Sequence, residues 1–93
     1  MTVAVETMIH SSAVVSPGAE LAPDVIVGPG AIIEDDVVIG PGCKIDSCAK
    51  IASGARLGEQ VIVSHGAAVG TEPQDMKFSG EETILTVGDN TII

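Results

Sequence analysis

Large aliphatic residues return at every sixth position through most of the chain: Ile9, Val15, Leu21, Val27, Ile33, Ile39, Ile45, Ile51, Leu57, Val63 and Val69. Four places after each of the first ten comes a smaller residue: Ala13, Ala19, Val25, Ala31, Val37, Cys43, Ala49, Ala55, Val61 and Ala67. The position just after the aliphatic is often glycine or serine, as at Ser16, Gly28, Gly40, Gly58, Ser64 and Gly70. A helix of period 3.6 cannot produce this pattern, and neither can alternation in twos. A fixed longer period marks a repeat architecture, here with a unit of six residues.

Six residues make one short extended segment and one turn. Side chains of like parity share a face of a strand, so the aliphatic and the small residue four places on both point inward. Glycine and proline supply the turns, as in Gly28-Pro29-Gly30 and Gly40-Pro41-Gly42, where special backbone angles are required. Three units close a triangular circuit of eighteen residues, and successive circuits stack by parallel strand pairing about 4.8 Å apart. The predicted fold is therefore all-β, a parallel β-helix shaped as a triangular prism. Its inward ladders are Ile9–Val27–Ile45–Val63, Val15–Ile33–Ile51–Val69 and Leu21–Ile39–Leu57.

Composition agrees with a thin aliphatic core. The 93 residues contain one aromatic side chain, Phe78, and no Trp or Tyr, whereas a compact globule usually draws on aromatics to fill its interior. In the repeat, Cys43 takes the small inward slot and Cys48 falls in a turn; their spacing fits neither a redox nor a zinc motif. The outward slot before each aliphatic is unexpectedly apolar at Val14, Ile26, Ile32, Val38 and Ile62, with Lys44, Lys50 and Arg56 in the same position. Several aliphatics on the flanks of a prism predict packing against another chain.

Charge narrows the partners. Thirteen acidic and four basic residues leave a formal charge of -9, which excludes the clustered cations of a nucleic-acid surface. No apolar run is long enough to span a bilayer, and the opening Met1-Thr2-Val3-Ala4-Val5-Glu6 lacks the features of a secretory signal. A cytoplasmic location is the expectation, with no metal and no cofactor.

The hexads occupy residues 9–70 and then stop. Residues Thr71 to Thr83 carry no hexad, hold Phe78 and Pro73, and concentrate charge; repeats resume at about 85–93, around Val87-Gly88-Asp89-Asn90. A solenoid accommodates such an insertion by extruding a loop from one corner, and loops of this kind often carry function. The 1–93 chain is thus read as one repeat domain with a protruding loop over about 71–84.

That loop carries a resemblance. Val69-Gly70-Thr71-Glu72-Pro73-Gln74-Asp75-Met76-Lys77-Phe78-Ser79-Gly80-Glu81 resembles the Ile-Gly-x-x-Pro-Gln-Asp-Leu-Lys-Tyr-x-Gly-Glu segment of the UDP-N-acetylglucosamine O-acyltransferases of lipid A biosynthesis. Met76 and Phe78 depart from it while keeping apolar character. The start, Met8-Ile9-His10 with Ser12-Ala13-Val14, is similar to that family's Met-Ile-His-Pro-Thr-Ala. The resemblance covers essentially the whole chain but only the front part of the longer family protein.

The resemblance implies left-handed coils, which the period alone does not reveal. It implies a homotrimer that transfers an acyl chain from acyl carrier protein to the 3-hydroxyl of UDP-N-acetylglucosamine. By the same resemblance Asp75 and Lys77, with Gln74 beside them, are substrate-binding residues. A histidine acts as general base in the family, since a sugar hydroxyl needs a positioned acceptor for its proton as it attacks; that histidine, and the family's C-terminal helical region, would lie beyond Ile93. No catalytic residue is therefore expected in this chain, and His10 and His65 read as turn residues. Two other readings compete. One is a non-enzymatic scaffold that self-associates, favoured by the open coil at Ile93. The other is a metal enzyme of the carbonic anhydrase type, which needs about three histidine ligands and finds only two histidines here.

Overall fold

The computed structural model describes residues 2–3, 7–70 and 84–93, and every regular element among them is a strand. The first circuit carries β1 (Thr2–Val3), β2 (Met8–Ile9) and β3 (Val14–Val15). The second carries β4 (Glu20–Leu21), β5 (Ile26–Val27) and β6 (Ile32–Ile33). The third carries β7 (Val38–Ile39), β8 (Lys44–Ile45) and β9 (Lys50–Ile51). Then come β10 (Ala55–Leu57), β11 (Ile62–Val63) and β12 (Ala68–Val69), and β13 (Leu85–Val87) opens the next circuit.

Every third strand belongs to one sheet. Face I stacks β1, β4, β7, β10 and β13; face II stacks β2, β5, β8 and β11; face III stacks β3, β6, β9 and β12. All pairings are parallel. The register is eighteen residues, so Ile9 lies under Val27, Ile45 and Val63, and Val15 under Ile33, Ile51 and Val69. These are the ladders that the hexad predicts. Two further rungs extend the face I ladder. Val3 pairs in register with Leu21, and Val87 pairs with Leu57 although thirty positions separate them. Ile92 bridges to Ile62 and continues face II.

Two-residue strands suffice because each places one side chain out and one in. Ile33, Ile39, Ile45 and Ile51 are fully buried, and the small slots Val25, Ala31, Val37, Cys43, Ala49 and Val61 close the corners around them. Burying an aliphatic side chain of this size contributes about 1.5–3 kcal/mol, and none of the described buried side chains is polar or charged. The polar work is done by the backbone. Met8 N, Ile26 N and Lys44 N donate to Val25 O, Cys43 O and Val61 O at 2.9, 3.0 and 2.9 Å, leaving the interior apolar and the ladder satisfied.

Nine turns share one conformational rule that the glycine pattern only hints at, and from which the first-circuit turns ending at Ser12 and Gly18 depart. Their third residue is left-handed at Asp24, Gly30, Asp36, Gly42, Cys48, Gly54, Gln60, Gly66 and Asn90, with φ between 58° and 89°. Asp and Asn tolerate that region better than other side chains; Cys48 and Gln60 adopt it as well. Cys48 is accordingly exposed and Cys43 buried, and both thiols are free.

Sorting the outward slot by face separates it chemically. Face II presents Met8, Ile26, Lys44, Ile62 and Ile92, and face III presents Val14, Ile32, Lys50 and Ala68. Face I presents Glu20, Val38, Arg56 and Thr86. Exposed aliphatics thus form two stripes, each interrupted by one lysine, Lys44 or Lys50, while the third face is mostly polar. Met8 and Val14 are 65% and 60% exposed, and Ile26, Ile32 and Ile62 follow along the same stripes.

Candidate functional site

The hexad breaks at one corner of the prism, between faces III and I. Chain leaves this corner after β12 at Gly70 and returns to it at Ile84 and Leu85. The expected substrate-binding residues Gln74, Asp75 and Lys77, and the expected loop over about 71–84 apart from Ile84, lie outside the described residues. The described part of the site is the platform from which this segment starts and to which it comes back.

Ion pairs and hydrogen bonds hold that platform. The Glu34 carboxylate accepts from the backbone N–H of Ser53 at 3.1 Å and pairs with Lys50 Nζ at 3.4 Å. In the same turn, Asp36 accepts from the Arg56 guanidinium on its main-chain oxygen at 2.7 Å and on its carboxylate at 2.9 Å. Ser16 Oγ donates to Asp35 at 3.0 Å. The paired side chains are still partly solvated, 27–48% exposed, so each pair contributes modestly to stability; their effect is to give successive turns at this corner one geometry. The corner also differs from its neighbours in burial. Ala52 and Gly54 are buried, whereas Gly18 and Asp36, which hold the same turn position as Gly54, are exposed.

The backbone explains the cover. Strands β10 and β13 are three residues long, where the others have two, because Ala55 pairs with Leu85 ahead of the usual pair. Leu85 N donates to Gly54 O at 3.0 Å. The returning chain is thereby laid across the Ala52–Gly54 turn. The hexad marks Gly70 as the last position of the repeat but not Leu85, although a signal is present: Leu85 falls in a slot that holds Ala19, Val37 and Ala55 in the preceding circuits.

The two histidines sit elsewhere. His10 and His65 both occupy exposed turns at the corner between faces II and III. His10 Nδ1 accepts from Ser12 N at 3.1 Å and lies 2.9 Å from Ser12 Oγ. His65 Nδ1 lies 2.8 Å from Ser47 Oγ of the previous circuit. Strand β12 separates His65 from the corner where the hexad breaks, so the histidine next to that segment in sequence is on another edge of the prism. Among the described residues no three His, Cys, Asp or Glu side chains are grouped to hold a metal ion. Burial pushes the Cys43 thiol above its ordinary pKa of 9.0, against backbone hydrogen bonds from Val61, Gln60 and Gly40 that act in the opposite sense.

Comparison with known proteins bears on what this platform serves. The chain is 56% identical over 87 residues, 94% of its length, to the acyl-(acyl-carrier-protein)–UDP-N-acetylglucosamine O-acyltransferase of Xylella fastidiosa (strain Temecula1). This chain is similar to the UDP-N-acetylglucosamine acyltransferases. It also superposes on the crystal structure of the Francisella novicida UDP-N-acetylglucosamine acyltransferase with a TM-score of 0.85 and 36% identity, over 92% of its residues. It spans about a third of the length of each of these acyltransferases, 33% and 32% respectively. No family model matches it. The fold expected from the sequence holds: the prism is a left-handed parallel β-helix. No described helix is long and apolar enough to cross a membrane.

Proposed function

We propose that this chain forms the acceptor-binding part of a lipid A pathway acyltransferase, one that moves an acyl chain from acyl carrier protein to the 3-hydroxyl of UDP-N-acetylglucosamine. The observation that carries the reading is the 56% identity to an acyltransferase with those two substrates in its name, spread over 94% of the chain. On this reading Asp75 accepts hydrogen bonds from sugar hydroxyls. Lys77 supplies positive charge to the diphosphate or to a polar acyl substituent, and Gln74 adds a neutral donor and acceptor. The general base is a histidine outside these 93 residues, because His10 and His65 lie on a different corner and each is engaged by a serine. The reaction needs no cofactor, and a cytoplasmic location goes with it.

Titration calorimetry with UDP-N-acetylglucosamine tests the acceptor role. Asp75→Ala and Lys77→Ala are each expected to weaken binding by about tenfold, the loss of one charge-assisted contact worth roughly 1.5 kcal/mol. Unchanged affinity in both variants would remove these residues from the site.

A homotrimer accompanies the proposal. Its support is the pair of apolar stripes on faces II and III beside a polar face I, since two sticky faces per prism let each copy meet two others around a closed ring. Sedimentation should give three chains per particle, and Ile26→Asp or Ile32→Asp should return it to single chains. The same stripes also suit a non-enzymatic scaffold; particles that lengthen without limit as concentration rises would favour that second reading.

A further inference from the structure

We infer that the His65 side chains of three copies meet where the prisms come together and form a binding site for a divalent transition-metal cation such as zinc; the inference rests on the homotrimer proposed above. Three triangular prisms set side by side about a threefold axis along their length share the same three face directions. No face of one can then lie flat on a face of another, and the prisms approach along a corner. The corner between faces II and III is the one suited to the axis. It is flanked by the two faces that carry the exposed aliphatics, which then turn toward the neighbouring copies. It also carries the least negative charge. Its described turns hold one carboxylate, Asp46, whereas Asp24, Glu59 and Asp89 line the corner between faces I and II, and Glu34, Asp35 and Asp36 the corner between faces III and I. In a chain with a formal charge of -9, like-charged corners oppose close approach, and this corner opposes it least.

The middle residue of each turn stands at the apex of its corner. Between faces II and III these residues are Ser11, Pro29, Ser47 and His65. His65 is exposed, and a Cβ added to the next residue, Gly66, would meet nothing within 4 Å, so the space beside the ring is open. Ser47 holds the ring from the circuit before: its Oγ lies 2.8 Å from Nδ1, and Gly66 N donates to Ser47 O at 3.0 Å. The Ser47 turn is itself fixed by Asp46, whose Oδ1 accepts from Ser47 N at 2.7 Å. A hydroxyl can accept from Nδ1–H, and a ligating histidine gives its second ring N–H to such a neighbour, which leaves Nε2 free for a metal ion. His10 is not equivalent. Its Nδ1 accepts from the backbone N–H of Ser12 at 3.1 Å, so the neutral ring carries its proton on Nε2 and offers no lone pair there. It is also the first residue of its turn, off the apex. Three Nε2 atoms around one axis make a three-histidine set with a position left for water, a donor set that zinc accepts, and the field of a strongly acidic chain favours a cation.

Isothermal titration of zinc chloride into the parent chain, with sedimentation run on the same samples, tests the site. One zinc per three chains is expected. His65→Ala should abolish that binding, and Ser47→Ala should weaken it by about tenfold through loss of the group that orients the ring. His10→Ala and Cys48→Ser should bind as the parent does, the second because the exposed Cys48 thiol takes no part. Zinc binding that survives His65→Ala, that is lost with His10→Ala or Cys48→Ser, or that reaches one zinc per chain would overturn the site. Trimeric particles that take up no zinc would overturn it too and leave the trimer standing. Single chains at every zinc concentration would refute the homotrimer, and the site with it.

Discussion

Two corners of the prism are made from the same six-residue unit and behave differently. Between faces I and II the third turn residue always donates to the second turn residue of the circuit before: Gly42 to Pro23, Gln60 to Pro41 and Asn90 to Glu59, at 3.1, 3.0 and 2.8 Å. Between faces III and I the corresponding donor, Gly54, reaches one residue further, to Asp36, at 2.9 Å. The first corner is also closely stacked, because a Cβ on Gly40 would collide with the carbonyl oxygen of Gly58. At the second, a Cβ on Gly18 would meet the Asp35 carboxylate, a side chain that can turn away. The two corners thus differ in how one circuit is registered on the next: third turn residue to second at the first, third to third at the second, where side-chain bonds from Arg56 and Ser16 are added. The insertion sits on the second.

The largest effect should come from adding chain at each corner in turn. Three residues inserted between Glu59 and Gln60 break the rung to Pro41 and displace the buried Val61; unfolding in urea should show a loss of about 2–4 kcal/mol, as for other core disruptions. The same insertion after Ser79 only lengthens a connection and should cost less than about 0.6 kcal/mol. Equal losses would erase the distinction between the corners.

Alanine at the two glycines sharpens it. Gly40→Ala forces one backbone against another and should cost about 1–3 kcal/mol. Gly18→Ala needs only a rotation of Asp35 and the loss of its exposed bond to Ser16, about 0.5 kcal/mol. Thermal midpoints of the two variants rank the effects.

The smallest effect is pH-dependent and belongs to the first corner, where Cys43 donates from Sγ to Gly58 O at 3.0 Å. Its native pKa lies above 9.0 because burial disfavours the thiolate. The folded state therefore holds this proton more tightly than the unfolded state does. Stability from the group is complete below pH 9.0 and declines as pH rises towards the native value. Cys43→Ala should flatten that alkaline decline, measured as urea midpoints at stepped pH, and a variant with the same slope as the parent would assign it elsewhere.

Much of this was legible in the residues, for a physical reason. Ile9 through Val69 mark the inward positions because a core one side chain thick must repeat what it buries, and the eighteen-residue register follows from closing a triangle. Val3, six places before Ile9, keeps the same spacing and pairs in register with Leu21. The return of the pattern at Val87 is readable, but its rung on Leu57 is not, because thirty positions separate the two where the other rungs are eighteen apart. The apolar outward slot is legible at Val14, Ile26 and Ile32; its division between faces follows from how the circuits stack.

By itself the sequence determined a prism of parallel hexad coils with an aliphatic interior, one insertion after Gly70, and a likeness to a nucleotide-sugar acyltransferase. Those features depend on local spacing and residue type, which a one-dimensional pattern carries in full. Only the tertiary structure decided which corner releases the insertion, that His65 stands on a different edge, and that Leu85 lies against Gly70. These are relations between residues many positions apart. They depend on how one circuit is laid upon another, and that is settled by packing and hydrogen bonds between coils.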